Sequence, residues 1–255
     1  DVLEVVVYDI FSVADTVSAT DGGTFSSNVG FGADISSSTA GTSNFRAGVN
    51  AGNSITSGGN YNVTVGDEAG TAITTGDDNT AVGYSAGAAV TTGVQNTLIG
   101  SLAGDAKTTG FNDVAVGYQA LSSDTAGQNS VAIGYQALTA QNFTTATNSY
   151  NVAVGRSAGT AVSTGIQNTL IGALAGDALT SGNNNTALGY LALSTDTLGD
   201  RNVALGVKAL SSQNFTTSTD SYNVAIGMSA GFAVTTGVEN TLIGGLAGDA
   251  LTSGQ

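Results

Sequence analysis

The stretch Asn-Thr-Leu-Ile-Gly at residues 96–100 decides the fold of this chain, because variants of it recur about every seventeen residues. The preceding copy is Asn-Thr-Ala-Val-Gly at residues 79–83, and Asn-Val-Ala-Val-Gly occupies residues 151–155. Three residues of high β propensity stand between Asn and Gly, which predicts a short strand with a turn residue at each end. A fixed period of this length is the signature of a repeat protein, in which each unit contacts mainly its neighbours.

The glycine that ends this pattern marks the period along most of the chain. Successive glycines are 17 residues apart, except that the steps from Gly134 to Gly155 and from Gly206 to Gly227 span 21. Residues 83–154 therefore align without gaps on residues 155–226, and about 47 of these 72 positions are identical. A block of four units, including its longer fourth unit, has been duplicated. The anchor glycines are Gly66, Gly83, Gly100, Gly117, Gly134, Gly155, Gly172, Gly189, Gly206, Gly227 and Gly244.

The composition is that of a repetitive fibre rather than of an ordinary globular domain. Of the 255 residues, 37 are Gly, only 9% are charged, and none is Pro, Cys, His or Trp. The formal net charge of -14 argues against the basic surface that phosphate backbones require, so we expect no nucleic-acid partner. No apolar stretch approaches the roughly 20 residues of a membrane-spanning helix, so we expect no membrane insertion. Without His or Cys, the Ser-His-Asp and Cys-His arrangements are excluded, and we expect no enzymatic activity.

The repeat predicts an all-β fold: a repetitive β-solenoid, β-roll or β-helix shaft with 17-residue rungs. Side chains alternate along a strand, so Val152 and Val154 share one face while Ala153 lies on the other. Both faces are apolar, and large exposed apolar stripes are uncommon on soluble monomers. We therefore expect a fibrous homotrimer in which the face of Ala and Leu residues contacts the sister chains. A second short strand is expected in the other half of each unit, as at residues 117–121.

Stacking of the units in register places the repeated asparagines above one another, where their amides can form a ladder. The anchor glycines are expected where φ is positive or where another backbone approaches closely. The residues assigned to this structural ladder are Asn79, Asn96, Asn151, Asn168, Asn185, Asn202, Asn223 and Asn240, with Gly83, Gly100, Gly155 and Gly172.

The shaft is expected over residues 43–255, and residues 1–42 are expected to form an amino-terminal connector or cap. Residues 44–52 fit the repeat in weaker form, with Gly48 standing 18 residues before Gly66. The chain begins at a residue other than Met and stops in the middle of a repeat, so we expect it to be a segment of a longer protein.

The fourth unit of each block is longer than the other three. The extra residues lie around residues 141–143 and 213–215, where loops are predicted to contact a glycan or a protein. The alternative is that the two phenylalanines fold back to cover a groove between chains. The candidate contact residues are Gln141, Asn142, Phe143, Gln213, Asn214 and Phe215.

An aspartate recurs every 72 residues, which is the length of the four-unit block. Asp105, Asp177 and Asp249 each follow Leu-Ala-Gly. In a trimer each could meet its symmetry mates and bind a cation such as Ca²⁺, whereas the alternative is an ordinary turn residue. No other cofactor is expected.

The repeats resemble those of known fibre proteins. Residues 79–86, 130–138 and 184–193 are similar to repeats of phage tail-fibre proteins and to the heads of trimeric autotransporter adhesins, which form left-handed parallel β-rolls. Residues 1–25 resemble segments of marine cyanophage fibre proteins. This resemblance implies a virion tail fibre that is extracellular and that supports attachment to a host cell. The implied partners are sister chains, other virion proteins and a host surface receptor, such as a glycan.

Three other functions are kept as alternatives. A trimeric bacterial surface adhesin would share the repeats. A polysaccharide-degrading tailspike would need two carboxylates across a groove. An ice-binding solenoid is suggested by recurring Thr-Thr pairs such as those at residues 74–75 and 91–92.

Overall fold

The structure, a computed structural model, describes residues 40–254 and consists there of short strands joined by turns. The predicted connector at residues 1–42 therefore lies almost wholly outside the described residues. The strands are β1 (Phe45–Ala47), β2 (Val63–Val65), β3 (Thr80–Val82), β4 (Thr97–Ile99), β5 (Val114–Val116), β6 (Gly127–Gln128), β7 (Val131–Ile133), β8 (Thr147–Asn148), β9 (Val152–Val154), β10 (Thr169–Ile171), β11 (Thr186–Leu188), β12 (Gly199–Asp200), β13 (Val203–Leu205), β14 (Thr219–Asp220), β15 (Val224–Ile226) and β16 (Thr241–Ile243).

The three-residue strands form one parallel sheet. Within residues 40–254 this sheet has 12 strands in the order β1-β2-β3-β4-β5-β7-β9-β10-β11-β13-β15-β16, so each strand pairs with the equivalent strand of the next rung. Leu98 pairs with Ala115, and Ala115 pairs with Ala132. The predicted all-β solenoid with 17-residue rungs is confirmed. The weaker unit upstream also belongs to it, because β1 and β2 pair in parallel.

The middle residue of each strand points into the coil of its own chain. Leu98, Ala115 and Ala153 are completely buried in the single chain, whereas Val152 and Val154 are half-buried on the outside. The sequence-based assignment of the faces was therefore wrong: the Ala/Leu face is the inside of the coil and does not contact sister chains. The middle residue is Ala or Leu in most of the three-residue strands.

The second half of each unit is a pair of tight turns, and the second strand predicted there is absent from the described rungs. At residues 100–103 the Ala103 N–H donates to the Gly100 carbonyl at 3.2 Å, and Leu102 has a φ of 58°. A positive φ at the third residue is typical of a type II turn. Lys107 N–H then closes a second turn on the Gly104 carbonyl. These left-handed residues reverse the chain where an extended strand would carry it away from the sheet.

The second turn directs another side chain into the coil. This core position, seven residues after the anchor glycine, holds Val90 and Val162 in the first rungs of the two blocks, and both are buried. Together with the middle strand residues they form an apolar core along much of the shaft. In other rungs the same position holds a buried polar residue, namely Lys107, Asp124, Gln141, Asp196 or Gln213.

The two 21-residue rungs keep the register of the main sheet. Their extra residues add a short parallel ladder on the side of the shaft, where β6 pairs with β8 and β12 pairs with β14. The main sheet passes directly from β7 to β9 and from β13 to β15. The insertion is therefore absorbed outside the core.

The anchor glycines set how closely the rungs stack. Gly117 has a φ of 135°, and a Cβ added there would lie 2.4 Å from the Gly134 carbonyl oxygen. Real Cβ atoms do not approach backbone so closely, so a side chain at this position would force the rungs apart.

We predict that Gly117→Ala lowers the stability of the shaft by about 2–5 kcal/mol, because backbone strain and overpacking act together. Urea denaturation followed by far-UV circular dichroism at one protein concentration measures this loss. Gly245→Ala is the matched control, since nothing lies within 4 Å of a Cβ placed there. Equal midpoints for the two variants would contradict the stacking argument.

Candidate functional site

The interior of the shaft contains a ladder of buried asparagines. In most of the described rungs the Asn Nδ2 donates to the Oδ1 of the asparagine one rung earlier, at 3.0 to 3.3 Å. The same amide also donates to a glycine carbonyl fourteen residues ahead, as from Asn96 to Gly110 at 2.9 Å. The donor and acceptor pairs are Asn79 to Asn62, Asn96 to Asn79, Asn168 to Asn151, Asn185 to Asn168, Asn202 to Asn185 and Asn240 to Asn223.

The ladder is interrupted in the first block, where Asp113 takes the place of an asparagine. Its Oδ1 accepts the Ser130 N–H at 2.7 Å, as a ladder amide oxygen would. A carboxylate has no N–H to donate to the carbonyl ahead, and Lys107 supplies that donor instead, since its Nζ lies 2.8 Å from the Gly127 oxygen. Lys107 therefore supplies the N–H donor that an asparagine side chain would provide at this position.

Lys107 lies between two carboxylates in the core of the coil. Its Nζ is 2.6 Å from Oδ2 of Asp113 and 3.1 Å from Oδ2 of Asp124, and all three side chains are completely buried. Burial raises the pKa of Asp113 to about 6, although the neighbouring Lys107 favours the charged carboxylate. Two carboxylates thus share one cation, and Asp113 takes up a proton more readily than an exposed aspartate does.

The equivalent rung of the second block lacks the cluster formed by Lys107, Asp113 and Asp124. Leu179 stands in the place of Lys107, and Asn185 in the place of Asp113. Asn185 Nδ2 donates to the Gly199 carbonyl at 2.9 Å, which restores the ordinary ladder bond. The lysine and the aspartate therefore depend on each other, whereas the carboxylate one rung later is common to both blocks as Asp124 and Asp196.

The structure buries most of the predicted contact residues of the long rungs. Phe143 and Phe215 are 8% and 7% exposed, and Gln141 and Gln213 are completely buried. Gln141 Oε1 accepts the Asn151 Nδ2 at 2.9 Å, so the glutamine carries the ladder across the insertion, and Gln213 does the same in the second block. The two glutamines serve the ladder, which needs an amide where the period lengthens, and the two phenylalanines are buried within the single chain.

The exposed part of each long rung lies a few residues further on. Residues 144–146 and 216–218 are exposed, and Asn142 is exposed while Asn214 is half-buried. The two loops differ in charge. Arg201 pairs with Asp220 and stacks on Tyr222 at 5.5 Å in the second block, whereas the first block has an Asn129–Asn148 hydrogen bond at 2.7 Å. A contact with a glycan or protein would involve these exposed residues.

The three aspartates considered for Ca²⁺ lie on separate rungs of the chain. Asp105 and Asp177 are half-buried, and each has a buried Oδ1 without a hydrogen-bond partner. Burial raises the pKa of both carboxyls. Asp249 is exposed near the end of the described residues. Residues 40–254 contain no group of three or more acidic side chains that could hold a metal ion.

The outside of the main sheet carries what we call the outer stripe, which consists of the first and third residues of its twelve strands. All are Val, Ile, Leu, Thr, Phe or Ala, and none is charged. Several are strongly exposed in the single chain: Ile99 is 38% exposed, Leu188 42% and Ile243 68%. Tyrosines one residue beyond the anchor glycines extend this surface, and Tyr118 and Tyr135 stack with their ring centres 5.4 Å apart.

Two further findings concern the recurring threonines and the expectation of no membrane insertion. The hydroxyls of Thr74, Thr91 and Thr108 donate to carbonyls of the following rung, so these threonines serve the stacking of the coil. No helix within residues 40–254 has the length and apolar character that crossing a membrane would require.

We predict that Lys107→Leu alone destabilises the shaft by about 3–5 kcal/mol, because it leaves Asp113 and Asp124 buried without their cation. Lys107→Leu/Asp113→Asn reproduces the rung of the second block and restores the amide donor to Gly127. We expect it to recover most of the loss in urea denaturation. If the double variant is no more stable than the single one, the two positions are not coupled as described.

A family comparison relates part of the chain to surface adhesins. The model of the YadA head domain repeat matches twice, over residues 109–137 and 126–147, which include β5 and β7. These repeats are those of trimeric autotransporter adhesins, and the matched residues are a minority of the chain. No match was found among curated proteins or solved structures. The repeats and the parallel solenoid together fit a trimeric adhesin-like fibre.

Proposed function

We propose that this chain forms the shaft of a trimeric attachment fibre, in which three copies pack along their outer stripes. The observation that carries the proposal is the unbroken, uncharged outer stripe on a chain of net charge -14. Its twelve strands are separated by eleven steps of about 4.8 Å, so the stripe extends for roughly 50 Å. Contiguous apolar surface of this extent is typical of an interaction site.

The stripe favours other copies of the same chain as its partner. Its residues repeat with the rung, so the surface is nearly the same at every level of the shaft. A second copy presents the same spacing and the same lack of charge, and therefore matches it rung by rung. The similarity to YadA head repeats, which belong to trimeric adhesins, supports three copies rather than two.

Such a shaft would act mechanically. A parallel solenoid is stiff because each rung is hydrogen-bonded to its neighbours through both backbone and asparagine side chains. Three chains bundled together would hold three copies of a binding tip close to one another, which raises the avidity for a host receptor such as a surface glycan. The proposal gives the chain a structural and not an enzymatic role.

We further propose a phage tail fibre as the particle to which the shaft belongs, with other virion proteins as its neighbours. The resemblance of residues 1–25 to cyanophage fibre segments supports this assignment. The YadA repeat match supports the second candidate, a bacterial surface adhesin, at least equally well. Both are extracellular. Immunogold labelling with an antibody against this chain distinguishes them, since gold on virion tails supports the first and gold on the bacterial surface supports the second.

We predict that the folded chain sediments as a trimer in analytical ultracentrifugation. Ile99→Asp/Ile133→Asp places two carboxylates on the outer stripe, and we expect this variant to sediment as a monomer with an unchanged far-UV circular dichroism spectrum. Thr145→Asp, on an exposed loop away from the stripe, is the control and should remain trimeric. A folded, monomeric wild-type chain would overturn the proposal.

A further inference from the structure

The cluster of Lys107, Asp113 and Asp124 has features that an ion pair alone does not require. A primary amine lies 2.6 Å from a carboxyl oxygen, with a second carboxyl 3.1 Å away, and none of the three side chains is exposed to water. Burial raises the pKa of the Asp113 carboxyl, so its protonated form is reached more readily here than in water. A neutral amine held against a carboxylic acid in a dry site can condense with it to an amide.

The two oxygens of Asp113 are held differently. Oδ1 accepts the Ser130 backbone N–H at 2.7 Å, whereas Oδ2 lies against the Lys107 Nζ and has no other partner. A backbone N–H at this distance polarises the carbonyl and stabilises negative charge that develops on Oδ1. The free oxygen, Oδ2, is the one that can leave.

We infer that Lys107 and Asp113 form an intramolecular isopeptide bond, with Asp124 transferring the protons. The reacting groups are the ammonium of Lys107, the protonated carboxyl of Asp113 and the carboxylate of Asp124. The products are a secondary amide between Nζ and Cγ, one water molecule and a protonated Asp124. No oxidant, metal or cofactor takes part.

The steps follow from the contacts. Asp124 accepts a proton from Nζ, and the lone pair of the resulting amine adds to Cγ of Asp113. The electrons of the C=O bond pass to Oδ1, where the Ser130 N–H stabilises them. The C–Oδ2 bond then breaks while Asp124 donates its proton to Oδ2, which leaves as water. The nitrogen returns one proton to Asp124, and the amide remains.

The surrounding rungs keep the reactants in place. Gly127 carbonyl oxygen holds Nζ at 2.8 Å. Asp124 is itself fixed, because its Oδ1 accepts the N–H groups of Gly127 at 3.3 Å and Phe143 at 2.9 Å. Asp196 makes the equivalent bonds to Gly199 and Phe215 in the second block, but Leu179 offers it no amine. The two blocks therefore serve as a reactive site and a matched unreactive site in one chain.

The test is the intact mass of the full, denatured chain. We expect the wild-type chain to be lighter than its sequence by one water molecule. In fragmentation spectra, breaks of the backbone between residues 107 and 113 should yield no separated fragments, because the side-chain bond closes a ring. Lys107→Leu/Asp113→Asn should have the full sequence mass, and Asp124→Asn, which keeps the Oδ1 acceptor, should show less than a tenth of the condensed form.

The second block allows the chemistry to be transplanted. Leu179→Lys/Asn185→Asp places an amine and a carboxyl beside Asp196, with the Asn202 N–H in the position of the Ser130 N–H. We expect this variant to lose two water molecules.

Three results would overturn the inference. The first is a wild-type chain of full sequence mass. The second is a loss of water that persists in Lys107→Leu/Asp113→Asn, as succinimide formation at Asp21-Gly22 would produce. The third is complete condensation in Asp124→Asn, which would remove the proposed proton transfer. Far-UV circular dichroism of each variant establishes that it is folded. The inference does not depend on the attachment role of the fibre, since a monomeric shaft contains the same three residues.

Discussion

The direct contact between anchor glycines of successive rungs is the constraint on which the rest of the structure depends. At Gly117 and its equivalents the backbone of one rung touches the carbonyl of the next, and a single methyl group would separate them. This contact holds equivalent residues of successive rungs directly above one another. Register in turn brings the asparagine amides within hydrogen-bonding distance and places each middle strand residue over another. The ladder, the core and the outer stripe are all consequences of it.

The repeat allowed the solenoid and the position of its strands to be predicted, because strand propensity and period are local properties. The repeat did not reveal which face of each strand lies inside the coil. That depends on how the coil closes, and closure relies on residues other than glycine in the left-handed conformation, such as Leu102 and Gln119. Leucine and glutamine are not turn signals in a sequence. The turns they form were therefore predicted as a strand, and the Ala/Leu face was assigned to the outside.

The burial of the two glutamines and the ion cluster were missed for a related reason, whereas the burial of Phe143 and Phe215 agrees with the alternative that they fold back. Gln141 stands among polar residues that are typical of an exposed loop, and only the ladder explains why an amide must be buried there. The residues that flank Lys107 and Asp113 in the sequence do not indicate that these two side chains are buried. A signal was nevertheless available in the aligned blocks, where these two positions change together to Leu179 and Asn185. Paired differences between internal repeats can thus locate contacts without homologues.

The shaft distributes polarity in the opposite sense to a globular domain. Its interior contains a column of amides, interrupted in the first block by Lys107, Asp113 and Asp124, while its outer stripe is apolar and uncharged. Buried amides are stabilising only where every donor and acceptor is paired, and in-register stacking achieves this wherever asparagines follow one another. The ladder therefore secures the fold of the single chain without a large apolar core. Apolar side chains remain on the outside, where they are available to hold chains together along the whole length of a fibre.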